Sequence, residues 1–188
     1  MAEAERGKIV LIGGGTRSGK SALALCFGRQ LGQRRAFVAT ARALDDEMRA
    51  RIERHQRERE GAFDTAEAPR ALAATVRSLA AYDVVVVDCV THWLSNLLLE
   101  DLTTDAILHD IDAFIETVAA ARHHTVLVTN EVGMSVHPET PLGRTFVDLA
   151  GFANQRLARA SDEVYFAVMG TFLPVRRSQR PPVLDLIG

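Results

Sequence analysis

The stretch Gly14 to Ser21, "GGTRSGKS", carries the pattern G-x-x-x-x-G-K-S/T between an apolar run, "KIVLIG", and a run of helical character, "SALALCFGRQL". Glycines at this spacing let the backbone curl until successive N–H groups point into one concavity, and the following helix adds the positive end of its dipole. That is a cradle for phosphate. Gly14, Gly15, Thr16, Arg17, Ser18 and Gly19 form the loop, Lys20 is expected to reach the β and γ phosphates of a nucleotide, and the Ser21 hydroxyl to ligate Mg²⁺. Arg17 either adds a guanidinium to the phosphate oxygens or faces solvent.

A second chemical element is Asp88, which ends the apolar run "VVVVDC". An acid at the carboxyl end of such a strand holds the nucleotide's metal, directly or through water, or else caps the next turn. Asn130 and Glu131 in "VLVTNEVG" end another strand, and ligands of open α/β sheets gather outside those ends. They are site candidates or turn residues. The guanine-reading pattern N-K-x-D is absent, so base choice must come from elsewhere.

The third element is "ARIERHQRERE", Ala50 to Glu60, in which His55 stands among Arg51, Arg54, Arg57 and Arg59. Met48, Ile52 and His55 follow at helical spacing, so His55 falls on the inward stripe. A histidine there packs into the core, or serves as a nucleophile. Nearby cations favour the neutral imidazole, the form able to attack phosphorus, and would hold phosphate oxygens.

Positioning these residues requires strands whose carboxyl ends share one edge. Short apolar runs alternate with segments of helical period, the pattern of βαβ units around a parallel sheet, which predicts a doubly wound α/β fold. Strands are expected at Ile9 to Ile12, Ala36 to Ala39, Val84 to Val87, Thr125 to Thr129 and Val164 to Met169. Helices are expected at Ser21 to Leu31, Asp45 to Arg59, Pro69 to Ala81, Asp105 to Arg122 and Leu142 to Ser161. In the last, Leu142, Phe146, Leu149, Ala153 and Leu157 form the apolar stripe. The tail "RRSQRPPVLDLIG" is expected at the surface, because Pro181 and Pro182 oppose regular structure.

A chain of 188 residues suits one domain with one substantial core, spanning residues 1–188. Its 47% hydrophobic and 24% charged residues favour neither a disordered chain nor a membrane protein, and the formal charge of -2 does not imply nucleic-acid binding. Two cysteines, Cys26 and Cys89, are too few for a disulfide framework or a zinc signature and suit a reducing cytoplasm; both are expected to be packing residues. The apolar run "IVLIGGG" is too short for a signal segment or a membrane span, so neither is expected. His92, His109, His123, His124 and His137 lack metal spacing and are expected at the surface or in local hydrogen bonds, while Trp93 is core or faces a ligand.

Taken in order, "GGTRSGKSALA", "VATARALDDEMRARIERHQRER", "VVVDCVTHWLSNLL", "TNEVGMSVHPETPLGRTFVDLAGFANQRLA" and "SDEVYFAVMG" closely resemble the bifunctional adenosylcobinamide kinase / adenosylcobinamide-phosphate guanylyltransferase family, over about Ile9 to Gly170. The resemblance implies a RecA-like P-loop fold, a mostly parallel sheet flanked by helices. It implies phosphorylation of adenosylcobinamide by ATP or GTP, then transfer of GMP from GTP to adenosylcobinamide phosphate, with pyrophosphate released. His55 matches the family's guanylylated histidine. Ala39, Thr40, Ala41, Gln56, Arg57, Glu58, Arg59, Glu67 and Asp88 match its nucleotide contacts, and the family assembles as trimers. The chain departs from the family pattern at Ser135 and His137 and in its C-terminal tail. A kinase-only relative, with His55 merely packed, and a regulatory nucleotide switch are the competing functions.

Overall fold

Successive residues of a strand face opposite ways, so a strand that is apolar throughout needs cover on both sides. The computed structural model, which describes residues 6–43, 46–59, 61–100 and 102–176, meets that need with one sheet between layers of helix. The strands are β1 (Ile9–Gly14), β2 (Arg35–Ala39), β3 (Asp64–Glu67), β4 (Val84–Asp88), β5 (His124–Val128), β6 (Glu163–Val168) and β7 (Thr171–Arg176). The helices are α1 (Lys20–Leu31), α2 (Asp46–Arg59), α3 (Leu72–Ser78), α4 (Val90–Leu98), α5 (Thr104–Ala120) and α6 (Pro141–Ala160). The sheet runs β3-β2-β4-β5-β1-β6-β7, parallel throughout except for the antiparallel pair β6 and β7.

Alternation divides the core in two. Val10, Ile12, Phe37, Val86 and Val128 pack against Leu23, Ala24 and Phe27 of α1. On the opposite face, Ile9, Leu11, Val38, Val85, Val87 and Leu127 share a cluster with residues of α3, α4, α5 and α6, among them Leu72, Trp93, Ile111, Phe114 and Leu149. Ile12, Leu23 and Phe114 are each about 1% exposed or less, and burial of such a side chain contributes roughly 1.5–3 kcal/mol. No helix among the described residues is long and apolar enough to cross a membrane.

Register brings the chemistry to one edge. Ala39 pairs with Asp88, Asp88 with Val128, and Val128 with Ile12. The carboxyl ends of β2, β4, β5 and β1 therefore lie side by side, and the loops leaving them meet.

The structure departs from the sequence-based expectation in particular elements. β3, α4 and β7 were not expected as elements, and α3 is shorter than the expected run from Pro69 to Ala81. Asp45, the expected start of α2, lies outside the described residues, as do residues 177–188 of the tail, whereas Arg176 belongs to β7. On α6, Leu149, Ala153 and Leu157 are buried, but Leu142 in the first turn is 52% exposed and belongs to no core stripe.

Candidate nucleotide site

The glycine loop is shaped by what cannot fit beside it. Gly14 has φ +147 and a Cβ there would sit 2.2 Å from the Ala167 carbonyl oxygen, so no side chain fits between β1 and β6 at this point. Gly19, the N-cap of α1, has φ +94 in the left-handed region, which turns the chain abruptly into the helix. Arg17 also has positive φ, 57, and is exposed. The first turn of α1 carries no acidic residue to oppose an anion. Lys20 is 7% exposed, and its Nζ donates to Gly15 O at 2.5 Å and lies 3.4 Å from Ser18 Oγ. Its ammonium thus spans the loop's concave side.

Beside this loop opens a cleft of about 420 Å³. Arg17, Ser18, Gly19, Lys20 and Ser21 form one wall. Ala39 and Ala41 contribute from the end of β2 and the segment beyond it, Asp88 from β4, and Asn130 from the residues after β5. Ala50, Ile52 and Arg59 line it from α2, with Phe37 on the sheet. Gly14, Gly15 and Thr16 precede this wall in the loop, and Gly15 and Thr16 are exposed. Ser21 and Asp88 share the cleft, so a hydroxyl and a carboxylate suited to a divalent cation face the same space.

The side chains of Met48, Arg51, Arg54, His55 and Glu58 lie outside the described residues, although their backbone forms part of α2. Residue 55 comes three positions after Ile52 and four before Arg59, both of which line the cleft, so helical register sets it on their face. Arg59 is 4% exposed, with Cζ 3.7 Å from the Phe37 ring centroid. It also borders a second depression of about 490 Å³, where Gln56 and Arg57 lie with Glu53, Phe63 and Thr65. Gln56 and Arg57 thus face this depression and not the main cleft. Glu67 pairs with Ala39 at the end of β3 and is exposed.

Several polar residues fix this edge, among them Thr40, which the resemblance marks as a nucleotide contact, and Asn96, which sequence reasoning missed. Thr40 is fully buried, and its Oγ1 accepts from Cys89 N at 2.8 Å and donates to Cys89 O at 2.7 Å, tying β2 to β4 beyond their ladder. Asn96 of α4 donates through Nδ2 to both Thr40 O and Pro69 O at 2.8 Å. Behind Asn130, Thr91, Thr129 and Asn154 form a hydrogen-bonded chain. None of these hydrogen-bonded pairs is adjacent in sequence, so no spacing signals them; the bonds of Thr40 and Asn96 follow only from the topology.

Other expectations resolve directly. Burial, aided by the charge of Asp88, pushes the Cys89 thiol up to about 12, which makes it a packing group and not a nucleophile. Trp93 is 2% exposed, donates Nε1–H to Arg70 O at 2.8 Å and packs against Phe114, so it is core. His123 is buried at 6% exposure and is not a surface residue. His92 lines the main cleft.

A mostly parallel sheet whose first strand feeds a glycine-rich phosphate loop, with one strand, β5, between it and the strand that ends in Asp88, has the P-loop NTPase fold of the RecA-like class. The RadB recombinase crystal structure has the same fold, with a TM-score of 0.54 at 15% identity, covering 94% of this chain and 84% of that one. Residues 10–175 match the family described as cobinamide kinase / cobinamide phosphate guanyltransferase, and the chain belongs to that family. It is 41% identical over 167 residues to the bifunctional adenosylcobalamin biosynthesis protein CobP of Pseudomonas aeruginosa, covering 88% of this chain and 96% of that protein. It is 39% identical over 181 residues to the corresponding CobU of Salmonella typhimurium, covering 89% and 99% respectively.

Proposed function

We propose that the protein phosphorylates adenosylcobinamide with ATP or GTP and then transfers GMP from GTP to that phosphate through a guanylylated His55. The products of the second step are adenosylcobinamide-GDP and pyrophosphate. One observation carries the reading: the phosphate loop, Asp88 and the Ile52/Arg59 face of α2 border a single cleft. The phosphate loop and the helix bearing the candidate nucleophile thereby border one space.

For the kinase step, the loop amides and Lys20 hold the β and γ phosphates and stabilise charge on the transferring group, while the substrate hydroxyl attacks in line. Ser21 and Asp88 would hold Mg²⁺, which supplies charge neutralisation on the phosphate oxygens when bound. For the transferase step, a neutral imidazole nitrogen of His55 forms a bond to the α-phosphorus as the bond to the β-phosphate oxygen breaks, releasing pyrophosphate. An oxygen of adenosylcobinamide phosphate then attacks the same phosphorus, and the imidazole leaves. Arg59 supplies fixed positive charge on the face that carries position 55. The reading includes nucleotide contacts from Ala39, Thr40, Ala41, Gln56, Arg57, Glu58 and Glu67.

A homotrimer is part of the same reading. It is supported by the exposed apolar side chains Met134, Val136 and Leu142 near the start of α6, which are 79%, 91% and 52% exposed in the single chain. A reducing cytoplasmic setting is supported by the free thiols of Cys26 and Cys89.

The test supplies adenosylcobinamide with ATP, then GTP, and follows corrinoid products by chromatography and mass spectrometry. Adenosylcobinamide phosphate should form first and adenosylcobinamide-GDP second. Arrest at the phosphate would identify a kinase-only enzyme, and GTP hydrolysis with no corrinoid product a nucleotide switch.

A further inference from the structure

Asn130 sits at the centre of the cleft's inner edge. β5 lies between β1 and β4, so the residue two beyond Val128 emerges between the glycine loop and Asp88. The next residue confirms the placement, since Glu131 N donates to Gly14 O at 3.1 Å.

Both backbone polar groups of Asn130 are held by side chains from other helices. Its N–H donates to Thr91 Oγ1 at 2.7 Å, and its carbonyl accepts from Asn154 Nδ2 at 3.2 Å. Thr129 Oγ1 gives its only proton to Asn154 Oδ1 at 2.7 Å, so in the 3.1 Å Thr91–Thr129 contact the Thr91 hydroxyl is the donor. The chain of bonds closes on itself: Asn130 N–H to Thr91, Thr91 to Thr129, Thr129 to Asn154, Asn154 to Asn130 O. Thr91 and Thr129 are 3% and 2% exposed, so these bonds form in a water-poor setting. α4 and α6 thus fix one residue after β5.

The side chain is also oriented. Asn130 Nδ2 contacts Cys89 Sγ at 3.8 Å, and among the described residues Oδ1 has no hydrogen-bond partner. Asn130 lines the cleft together with Lys20, Ser21 and Asp88, so its amide oxygen is a neutral acceptor next to a phosphate-binding loop. An alcohol about to attack phosphorus needs such an acceptor for its O–H. Phosphoryl transfer through a loose transition state demands alignment of the nucleophile more than its early deprotonation. A neutral amide meets that demand without setting another negative charge against the triphosphate.

We infer that Asn130 Oδ1 accepts a hydrogen bond from the hydroxyl of the phosphoryl acceptor and aligns that oxygen on the γ-phosphorus, and that Thr91, Thr129 and Asn154 are positioning residues acting through Asn130. In the transfer the alcohol oxygen forms the new P–O bond, the bond from γ-phosphorus to the bridging oxygen breaks with its electron pair on the nucleoside diphosphate, and the alcohol proton leaves to solvent. Asn130 holds the hydroxyl and is not itself protonated. The inference rests on the kinase half of the proposed function.

The test measures steady-state phosphorylation of adenosylcobinamide by ATP with the full-length protein. Asn130→Ala should lower kcat about 100-fold, the scale of losing nucleophile alignment, with a change in the KM for ATP of no more than about threefold. Thr129→Val should lower kcat about tenfold and Thr129→Ser should restore it, because the serine keeps the relay's hydroxyl. In the Asn130→Ala background, Thr129→Val should add less than about a twofold loss, since a relay acting only through Asn130 has nothing left to position. If Thr129→Val fails to fold, Asn154→Ala, on the half-buried face of α6, provides the same comparison. An Asn130→Ala enzyme retaining kcat within threefold overturns the inference, and so does a Thr129→Val or Asn154→Ala loss of equal size in both backgrounds. Wild-type protein that never phosphorylates the corrinoid removes the functional reading itself, a result distinct from equal wild-type and variant rates.

Discussion

The guanidinium of Arg59 lies over the ring of Phe37, with Cζ 3.7 Å from the ring centroid, and this contact pins the last turn of α2 to the sheet. Arg59 is the final residue of α2, and Phe37 is 3% exposed within β2. A buried guanidinium on an aromatic face contributes on the order of 2 kcal/mol. The stack therefore ties the C-terminal end of α2 to β2.

Replacing Phe37 with leucine keeps an apolar side chain but removes the aromatic face. Guanylyl transfer, which in the proposed mechanism relies on α2, should fall about fivefold to thirtyfold, the factor that corresponds to roughly 1–2 kcal/mol lost from the stack. Phosphorylation of adenosylcobinamide should fall by a smaller factor. Parallel rate measurements of the two steps check this, and equal losses would show that the stack does not act through α2.

Gly14→Ala should be strongly destabilising. Its Cβ would meet Ala167 O at 2.2 Å, a contact with backbone on both sides that cannot relax by a side-chain turn. A loss of about 1–3 kcal/mol in denaturant unfolding, together with loss of ATP binding, is the expected outcome. Gly15→Ala has open space around its Cβ and should leave the unfolding midpoint near wild type.

Lys20→Met removes the buried cation of the loop while keeping the length of its apolar stem. Kinase kcat/KM should drop about 10²–10³-fold, the scale of losing one electrostatic donor at the transferring group. The measurement is corrinoid phosphorylation at saturating Mg²⁺, with thermal unfolding as the control for folding.

His123 makes stability pH-dependent. Burial lowers its pKa below 6.5, and the neighbouring His124 lowers it further; its Nε2 is buried without a hydrogen-bond partner. The unfolded chain thus binds the proton more tightly than the folded one. The stability held by neutral His123 is complete above pH 6.5 and is lost as pH falls through the lower folded value. Urea unfolding between pH 7.5 and 5 should show this decline, and His123→Gln should flatten it.

Much of the fold was legible because periodicity and burial agree. β1, β4 and β5 are apolar runs covered on both faces, and the loop after β1 carries a motif whose geometry dictates its own surroundings. β3 was not legible, because "DTAE" is a short strand with mostly exposed side chains and no apolar alternation. β7 was hidden by Pro174 and by a two-residue turn in which Met169 and Gly170 both have positive φ, 53 and 75, without the usual Asn-Gly signal. α4 follows β4 so closely that its apolar residues extend the strand's run. Within the site, Lys20, Ser21 and Asp88 were legible as motif positions. The Thr91–Thr129–Asn154 chain was not, since it joins residues that only the fold makes neighbours.

In the proposed mechanism α2 delivers a nucleophilic imidazole to a nucleotide held by the glycine loop. The most direct measurement is the intact mass of the full-length protein after incubation with GTP and Mg²⁺, followed by peptide mapping. One added GMP is expected on the peptide containing His55, lost in His55→Ala and discharged by adenosylcobinamide phosphate. An unchanged protein mass while adenosylcobinamide-GDP accumulates, or GMP attached to a different residue, would contradict it.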